Sequence, residues 1–81
     1  MLELRPSCEC CDVDLAPTSR GVFICTYECT WCRDCAEGRL DLTCPNCGGE
    51  LVRRPVPSPS RLAAHPPSTI RVHAPDCLTR A

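Results

Sequence analysis

The sequence predicts a small α+β domain held together by bound metal rather than by a large apolar core, followed by an irregular tail. Three observations support this prediction. Ten of the 81 residues are cysteine, a chain of this length buries little apolar surface, and six of the nine prolines lie after residue 51. We therefore place one domain at residues 1–52 and a flexible, Pro/Arg-rich tail at residues 53–81.

Two short elements are expected inside the domain. Residues 22–25 form a β-prone run, preceded by turn residues at 17–21 and by the alternating apolar side chains of Val13 and Leu15, which indicates a short β-hairpin. Residues 36–40 suit one or two turns of helix. The three aromatic residues are either the cover of a very small core or an exposed groove for a partner; they are Phe23, Tyr27 and Trp31.

Eight cysteines fall into four pairs, and each pair is separated by two or three residues. The pairs are Cys8 and Cys11, Cys25 and Cys29, Cys32 and Cys35, and Cys44 and Cys47. A two-residue spacer allows both sulfurs of one turn to reach a single ion, so eight thiolates predict two tetrahedral, structural Zn²⁺ sites. A secreted disulfide scaffold is the alternative. The pair spacing and the lack of a leader-like start favour metal and a cytoplasmic location.

The sequence allows two ways of sharing these pairs between two ions. Sequential pairing joins the first pair with the second, whereas interleaved pairing joins the first with the third. We favour interleaving, because a chain that folds back from the first pair brings Cys32 and Cys35 up to Cys8 and Cys11. The third pair then lies at the start of the short helix, where the helix dipole favours thiolates.

Two cysteines are left over. Cys10 lies within the first pair and is interpreted as an exchangeable thiol beside the metal, with replacement of a ligand and direct reactivity as alternatives. Cys77 lies in the tail four residues after His73, with His65 also nearby. Two or three such groups in an irregular segment do not predict a third metal site.

The order of the pairs resembles the cross-brace of RING-like, treble-clef zinc domains. Trp31 stands directly before the fifth ligand, the last pair reads Cys-Pro-Asn-Cys, and Cys29 stands where many RING domains have histidine. The resemblance implies a RING-like fold with a short hairpin and a short helix. Ubiquitin-ligase activity is the least favoured function, since Glu9 and Gly48 stand where ligase RING domains resemble one another in an aliphatic and a cationic residue.

The chain also resembles the bacterial family of short, Cys-rich proteins known as domain of unknown function 1272. The resemblance covers about residues 1–55 and lies in MLELRP at 1–6, CECC at 8–11, CTWC at 29–32 and CPNCGGELVRR at 44–54. It brings no assigned activity.

A closed shell of four thiolates leaves no coordination position for water, and the sequence contains no catalytic triad or phosphate loop, so we expect no enzyme. Residues 1–51 contain nine acidic residues and four arginines, which disfavours nucleic acid; residues 52–81 contain five arginines and one acid. We predict a zinc-stabilised protein–protein interaction module. Nucleic-acid binding by the tail, zinc handling and thiol redox chemistry are the alternatives, and the tail is either a linear ligand or a solvated extension.

Overall fold

The computed structural model describes residues 2–74, and its regular elements are short. In chain order they are β1 (Val22–Ile24), β2 (Thr30–Cys32), a π-helix (Asp34–Arg39), β3 (Val52–Arg53) and α1 (Pro59–Ala64). The strands form one antiparallel sheet in the order β2-β1-β3. A three-stranded sheet with a short helix confirms the small α+β class predicted from the sequence.

The hairpin joins β1 to β2, with Phe23 paired to Trp31. Its turn is closed by the backbone N–H of Glu28, which donates to the carbonyl of Cys25 at 3.0 Å. Glu28 has a φ of 63°, a left-handed conformation that a non-glycine residue adopts at some cost. The cysteines on each side of this turn are therefore carried by a tight hairpin end.

The predicted position of the hairpin was wrong. We expected Val13 and Leu15 to pair with residues 22–25 across the turn at 17–21. Instead, the chain after the first cysteine pair returns to the segment before it. Asp14 forms an antiparallel β-bridge with Ser7, and the N–H of Leu15 donates to the carbonyl of Pro6 at 2.8 Å. Two backbone hydrogen bonds fix the reversal within the first cysteine pair, from the N–H of Cys8 to the carbonyl of Val13 and from the N–H of Asp12 to the carbonyl of Cys8, both at 2.9 Å. They keep Val13 and Leu15 beside the N-terminal segment and away from residues 22–25.

The core is small and contains many sulfur atoms. Trp31 is 1% exposed, and Val22, Thr30 and Cys8 are fully buried around it. Tyr27, in contrast, is 73% exposed. Trp31 is therefore the cover of the core, and the alternative in which it lines an exposed groove was wrong.

Arg54, one of the five arginines in residues 52–81, is a buried charge. It is 1% exposed, and its guanidinium donates to the carbonyls of Arg5 and Ala16, both at 3.2 Å. Burial lowers the pKa of Arg54. Since its own N–H also donates to the carbonyl of Val22 at 2.7 Å, this residue ties together the N-terminal segment, the 16–21 loop and β1.

The described part of the segment after residue 52 contains regular structure. The expected boundary falls inside β3, and α1 begins after Ser58, whose hydroxyl accepts from the N–H of Arg61 at 3.4 Å. Further along, the N–H of Ser68 donates to the carbonyl of Leu4 at 3.0 Å. The tail is thus in contact with the domain up to residue 74, and its division into a separate flexible unit at 53–81 stays a prediction. Within residues 2–74 no helix is long and apolar enough to cross a bilayer.

Replacing the buried aromatic residue should therefore unfold the domain far more readily than replacing the exposed one. We expect Trp31→Ala to lower the free energy of unfolding by about 3–5 kcal/mol, as for other buried large-to-small changes. Tyr27→Ala, the matched control, should change it by less than about 0.5 kcal/mol. Urea denaturation of the metal-loaded proteins, followed by circular dichroism, measures both, and equal effects would contradict the position of Trp31 in the core.

Candidate metal centres

Two turns of the backbone, which we call the first knuckle (residues 8–13) and the second knuckle (residues 44–49), have the same hydrogen-bonding scheme. In each, the N–H of the first cysteine donates to the carbonyl five residues later, and the N–H four residues later donates back to the cysteine carbonyl. These bonds are Cys8 N to Val13 O and Asp12 N to Cys8 O, both 2.9 Å, and Cys44 N to Gly49 O and Gly48 N to Cys44 O, both 2.8 Å. Each knuckle is closed by one β-bridge, Ser7 with Asp14 and Thr43 with Glu50.

The fifth residue of each knuckle has a positive φ, 62° at Asp12 and 76° at Gly48. Glycine adopts this conformation without strain, and aspartate is among the residues that tolerate it best. The left-handed residue turns the chain so that the two cysteine side chains of the knuckle project to the same side. Gly49 adds a close approach, because a Cβ there would lie 3.3 Å from the sulfur of Cys47.

The first centre is made by the first and third cysteine pairs. The sulfurs of Cys8, Cys11, Cys32 and Cys35 all lie within 4.8 Å of one another, and those of Cys11 and Cys32 are 3.7 Å apart. Cys32 ends β2 and Cys35 lies in the first turn of the π-helix. The structure therefore brings together the first of the two sets that interleaved pairing predicts.

The four cysteines of the first centre differ in their exposure to solvent. Cys8 and Cys35 are buried, Cys32 is half-buried and Cys11 is exposed. The outer side faces an open cavity whose lining includes Arg33. One side of the four-sulfur group is thus fixed in the core, and the other side is accessible to an ion from solvent.

The second centre is made by the fourth pair and by Cys25. The sulfurs of Cys25, Cys44 and Cys47 lie within 4.8 Å of one another. Cys29 lies outside that three-sulfur group, although it is close enough to Cys25 for a thiol–thiol hydrogen bond. The side chain of Asn46 donates to the sulfur of Cys29 at 3.4 Å. Of the eight cysteines predicted as ligands, seven are gathered into these two groups, and ligation by all eight stays a prediction.

The thiols within each centre have pKa values that move in opposite directions. Burial raises the pKa of Cys35 well above its ordinary value and raises that of Cys44 to about 12. Burial also raises the pKa of Cys11, but hydrogen bonds from the Val13 backbone and from three neighbouring thiols outweigh it, so the pKa of Cys11 is lowered. The thiolate is therefore easier to form on some sulfurs than on their neighbours. A divalent cation would replace the protons that these thiols carry.

The second centre shows the same division. Burial raises the pKa of Cys25, yet hydrogen bonds from the backbone N–H of Tyr27, at 3.3 Å from its sulfur, and from neighbouring cysteines lower it overall. Burial raises the pKa of Cys29, and the negative charge of the neighbouring Glu9 adds to that rise. Backbone N–H donors to sulfur are typical of knuckles that stabilise thiolates.

Cys10, His65 and His73, which belong to none of the four cysteine pairs, lie outside both sulfur groups. Cys10 is completely buried in the core, belongs to neither sulfur group and is disulfide-bonded. Its interpretation as an exchangeable thiol beside the metal was therefore wrong, as were the alternatives of a substitute ligand and a reactive thiol. The carbonyl of Cys10 lies 3.1 Å from Nε2 of His73. Among residues 2–74 neither His65 nor His73 belongs to a metal-like group, and Cys77 lies outside the described residues.

Sequence reasoning missed two groups at the centres. Asn46 bridges the carboxylate of Glu9, at 2.7 Å, to the sulfur of Cys29, and Glu9 is itself only 5% exposed. Glu9 lies in the first knuckle and Asn46 in the second, so this contact joins the two. The residue types alone carry no signal for it, because the contact depends on the meeting of two knuckles that are far apart in the sequence.

One group of four sulfurs and one of three can each hold a metal ion, and both are assembled from segments far apart in the chain. The family described as "Protein of unknown function (DUF1272)" matches residues 1–57.

A relative extends that match over most of the chain. The chain is 63% identical over 75 residues to "Uncharacterized protein R02474" of Rhizobium meliloti (strain 1021), which covers 93% of this chain and 89% of the relative. No solved structure matches the chain. On the family match and this relative, the chain belongs to the DUF1272 family.

Proposed function

We propose that this chain is a non-catalytic protein that binds two structural zinc ions and acts as a protein–protein interaction module. The observation that carries the proposal is the geometry of the first centre. Tetrahedral Zn²⁺ with Zn–S bonds of about 2.3 Å places its sulfurs about 3.8 Å apart. The sulfurs of Cys11 and Cys32 are 3.7 Å apart, which supports zinc at this four-thiolate group.

A second zinc ion is supported by the second centre, where three sulfurs lie together. Cys29 completes a four-thiolate set there by turning its side chain away from Asn46 and toward Cys44 and Cys47. The proposal therefore treats Cys29 as the fourth ligand, as the spacing of the pairs predicts. Both ions would then lie in closed sulfur shells, which reduces Lewis acidity and leaves no position for water. This is the reason to propose a non-enzyme.

Metal would contribute most of the folding free energy. The strands have only two or three residues each, and a structural zinc site contributes on the order of 10 kcal/mol of apparent binding free energy at neutral pH. We also propose a cytoplasmic location, because closely spaced cysteine pairs that bind metal are typical of reducing compartments.

The interaction role is supported by an exposed aromatic side chain, that of Tyr27. Trp31 is buried in the core, whereas Tyr27 is exposed beside the second centre. There its side chain lines an open cavity together with Cys29, Asn46 and Cys47. Tyrosine is enriched in binding hot spots because its ring and its hydroxyl both contact partners. We propose that this aromatic site contacts another protein.

Nucleic acid is the less supported partner. Two four-thiolate zinc sites would each add two negative charges to an already acidic domain. Two of the tail arginines are also engaged within the chain: Arg54 is buried on carbonyls, and Arg71 forms ion pairs with Asp12 and Asp14. Few cations then remain for phosphate. Zinc handling and thiol redox chemistry would use the exposed sulfurs of Cys11 and Cys47.

Counting the metal tests the zinc sites. We expect native mass spectrometry of the reduced, full-length chain to show two zinc ions. Cys35→Ser and Cys44→Ser should each lose one of them, because each removes one buried ligand from a different centre. Chelation of both ions should unfold the chain. Ser19→Ala is the control and should keep both ions; a chain that binds no zinc, or that stays folded after chelation, would contradict the proposal.

The affinity for zinc should fall as the pH falls. Zinc binds thiolates, and the empty centres retain protons on thiols whose pKa is raised, including Cys44 at about 12. Binding therefore releases protons, and the apparent affinity should rise by roughly tenfold or more for each pH unit between about pH 6 and 8. Competition with a chromophoric chelator measures it. A pH-independent affinity would show that the bound ion displaces no protons.

The aromatic site is tested by comparing captured proteins. We expect the zinc-loaded Tyr27→Ala chain to keep two zinc ions and its stability but to lose a partner that wild type captures from the native cell. Val52→Ala removes another exposed apolar side chain and should leave capture unchanged. Capture that is identical for all three chains would place the partner elsewhere, and the absence of any specific partner would contradict the interaction module.

A further inference from the structure

Cys29 stands apart from the other three cysteines of the second centre. The sulfurs of Cys25, Cys44 and Cys47 lie within 4.8 Å of one another, and the sulfur of Cys29 lies outside this group. It accepts a hydrogen bond from the side-chain amide of Asn46 at 3.4 Å. Among residues 2–74, Asn46 is the one side chain other than a thiol that donates to a cysteine sulfur. The second centre therefore contains a competitor for one of its four ligands.

The amide of Asn46 is oriented by Glu9. Its nitrogen donates to a carboxylate oxygen of Glu9 at 2.7 Å as well as to the sulfur. A carboxylate only accepts hydrogen bonds, so the amide nitrogen, which carries two N–H groups, must face both partners. Glu9 is buried, its N–H donates to the carbonyl of Thr30 at 2.9 Å, and its second oxygen lies 3.7 Å from a guanidinium nitrogen of Arg5. An anchored carboxylate thus fixes an N–H donor beside Cys29.

One rotatable bond, between Cα and Cβ, sets the position of the Cys29 sulfur. The backbone there is held by the hairpin end, where the N–H of Cys25 donates to the carbonyl of Cys29 at 3.3 Å and the N–H of Glu28 donates to that of Cys25 at 3.0 Å. The side chain of Cys29 is half-buried and lines an open cavity, so there is room for it to rotate. A single rotation can therefore exchange Asn46 for the metal as the partner of this sulfur.

In the described part of the chain, the sulfurs of the first centre have no such competitor. All four lie within 4.8 Å of one another, and those of Cys11 and Cys32 are already at the separation expected on tetrahedral zinc. Their hydrogen bonds come from backbone N–H groups and from one another. No ligand of the first centre has to leave another partner before it binds. The two centres therefore differ in how readily one ligand can be released.

We propose that Cys29 is the exchangeable ligand of the second centre and that Asn46, oriented by Glu9, holds its released sulfur, so that this centre gives up zinc while the first retains it. The inference rests on the proposed function, because it requires zinc in both centres, and it assigns zinc exchange to one of them. The second ion can then pass to a stronger chelating group while the first ion keeps the domain folded.

Release breaks one bond and changes no oxidation state. The sulfur of Cys29 leaves with the electron pair of its bond to the ion, as a thiolate, and the amide N–H of Asn46 donates to that negative charge. A water molecule takes the released position on the ion, and an incoming chelating group replaces the water. Hydrogen bonds to charged acceptors are stronger than those between neutral groups. Asn46 therefore stabilises the open form of the centre relative to the closed one.

The rate of zinc release from the full-length, zinc-loaded chain tests the proposal. An excess of a chromophoric chelator is added, and the zinc transferred per chain is followed with time. We expect a fast phase of one ion and a slow phase of one ion. Cys44→Ser removes a buried ligand of the second centre and should show the slow phase alone, which assigns the fast phase to that centre.

Asn46→Ala should slow the fast phase by at least about fivefold and leave the slow phase unchanged, because the released sulfur of Cys29 loses its partner. Thr43→Ala is the matched control. Thr43 is exposed beside the same knuckle, and its hydroxyl donates to the carbonyl of Asp41 rather than to a sulfur. It should release both ions as wild type does. In a Cys29→Ser chain, Asn46→Ala should have no further effect, since no thiolate remains for Asn46 to hold.

Release of both ions at one rate, or a fast phase that persists in Cys44→Ser, would overturn the inference. So would a fast phase that Asn46→Ala leaves unchanged or makes faster, because Asn46 would then play no part or would hold Cys29 on the ion. Slowing by Asn46→Ala that persists in Cys29→Ser would show that Asn46 does not act through this sulfur. A chain with fewer than two zinc ions before the chelator is added contradicts the proposed function instead, so the two failures are distinguishable.

Discussion

The gathering of sulfur atoms from distant segments is the constraint on which the rest of the structure depends. Cys8 and Cys35 lie 27 residues apart in the sequence, yet their sulfurs meet in one group. The strands between them have three residues each, too few for a stable sheet without other support. The sheet therefore orients the cysteine side chains. Binding of metal ions by the sulfur groups would in turn stabilise such short strands.

Cysteine spacing predicted which sulfurs converge within a pair because the geometry of a knuckle is local. The grouping of Cys8 and Cys11 with Cys32 and Cys35 depends in addition on where the chain reverses. The site of that reversal was not predictable in the same way. Residues 17–21 carry the residue types of a turn, whereas the hairpin turns at Glu28, a residue type with no preference for the left-handed conformation that it adopts.

Charge patterning predicted least, because composition counts charges without their partners. Arg54 and Arg71 both belong to the basic tail by sequence, but one is buried on two backbone carbonyls and the other joins two aspartates. The guanidinium of Arg54 is buried against the carbonyls of Arg5 and Ala16. These acceptors are in place only when the N-terminal segment and the 16–21 loop are packed beside the end of β3. This is a tertiary condition that neither periodicity nor local propensity expresses.

The two knuckles show how one backbone turn supports two different surfaces. Their hydrogen bonds are equivalent, and their left-handed residues occupy equivalent positions, Asp12 in the first and Gly48 in the second. Glycine meets the conformational requirement and offers no side chain. Aspartate meets it at some strain and adds a carboxylate beside the carbonyls that face residues 71–74. The first knuckle therefore carries a residue less suited to the positive φ than glycine, and the carboxylate of that residue forms an ion pair with Arg71.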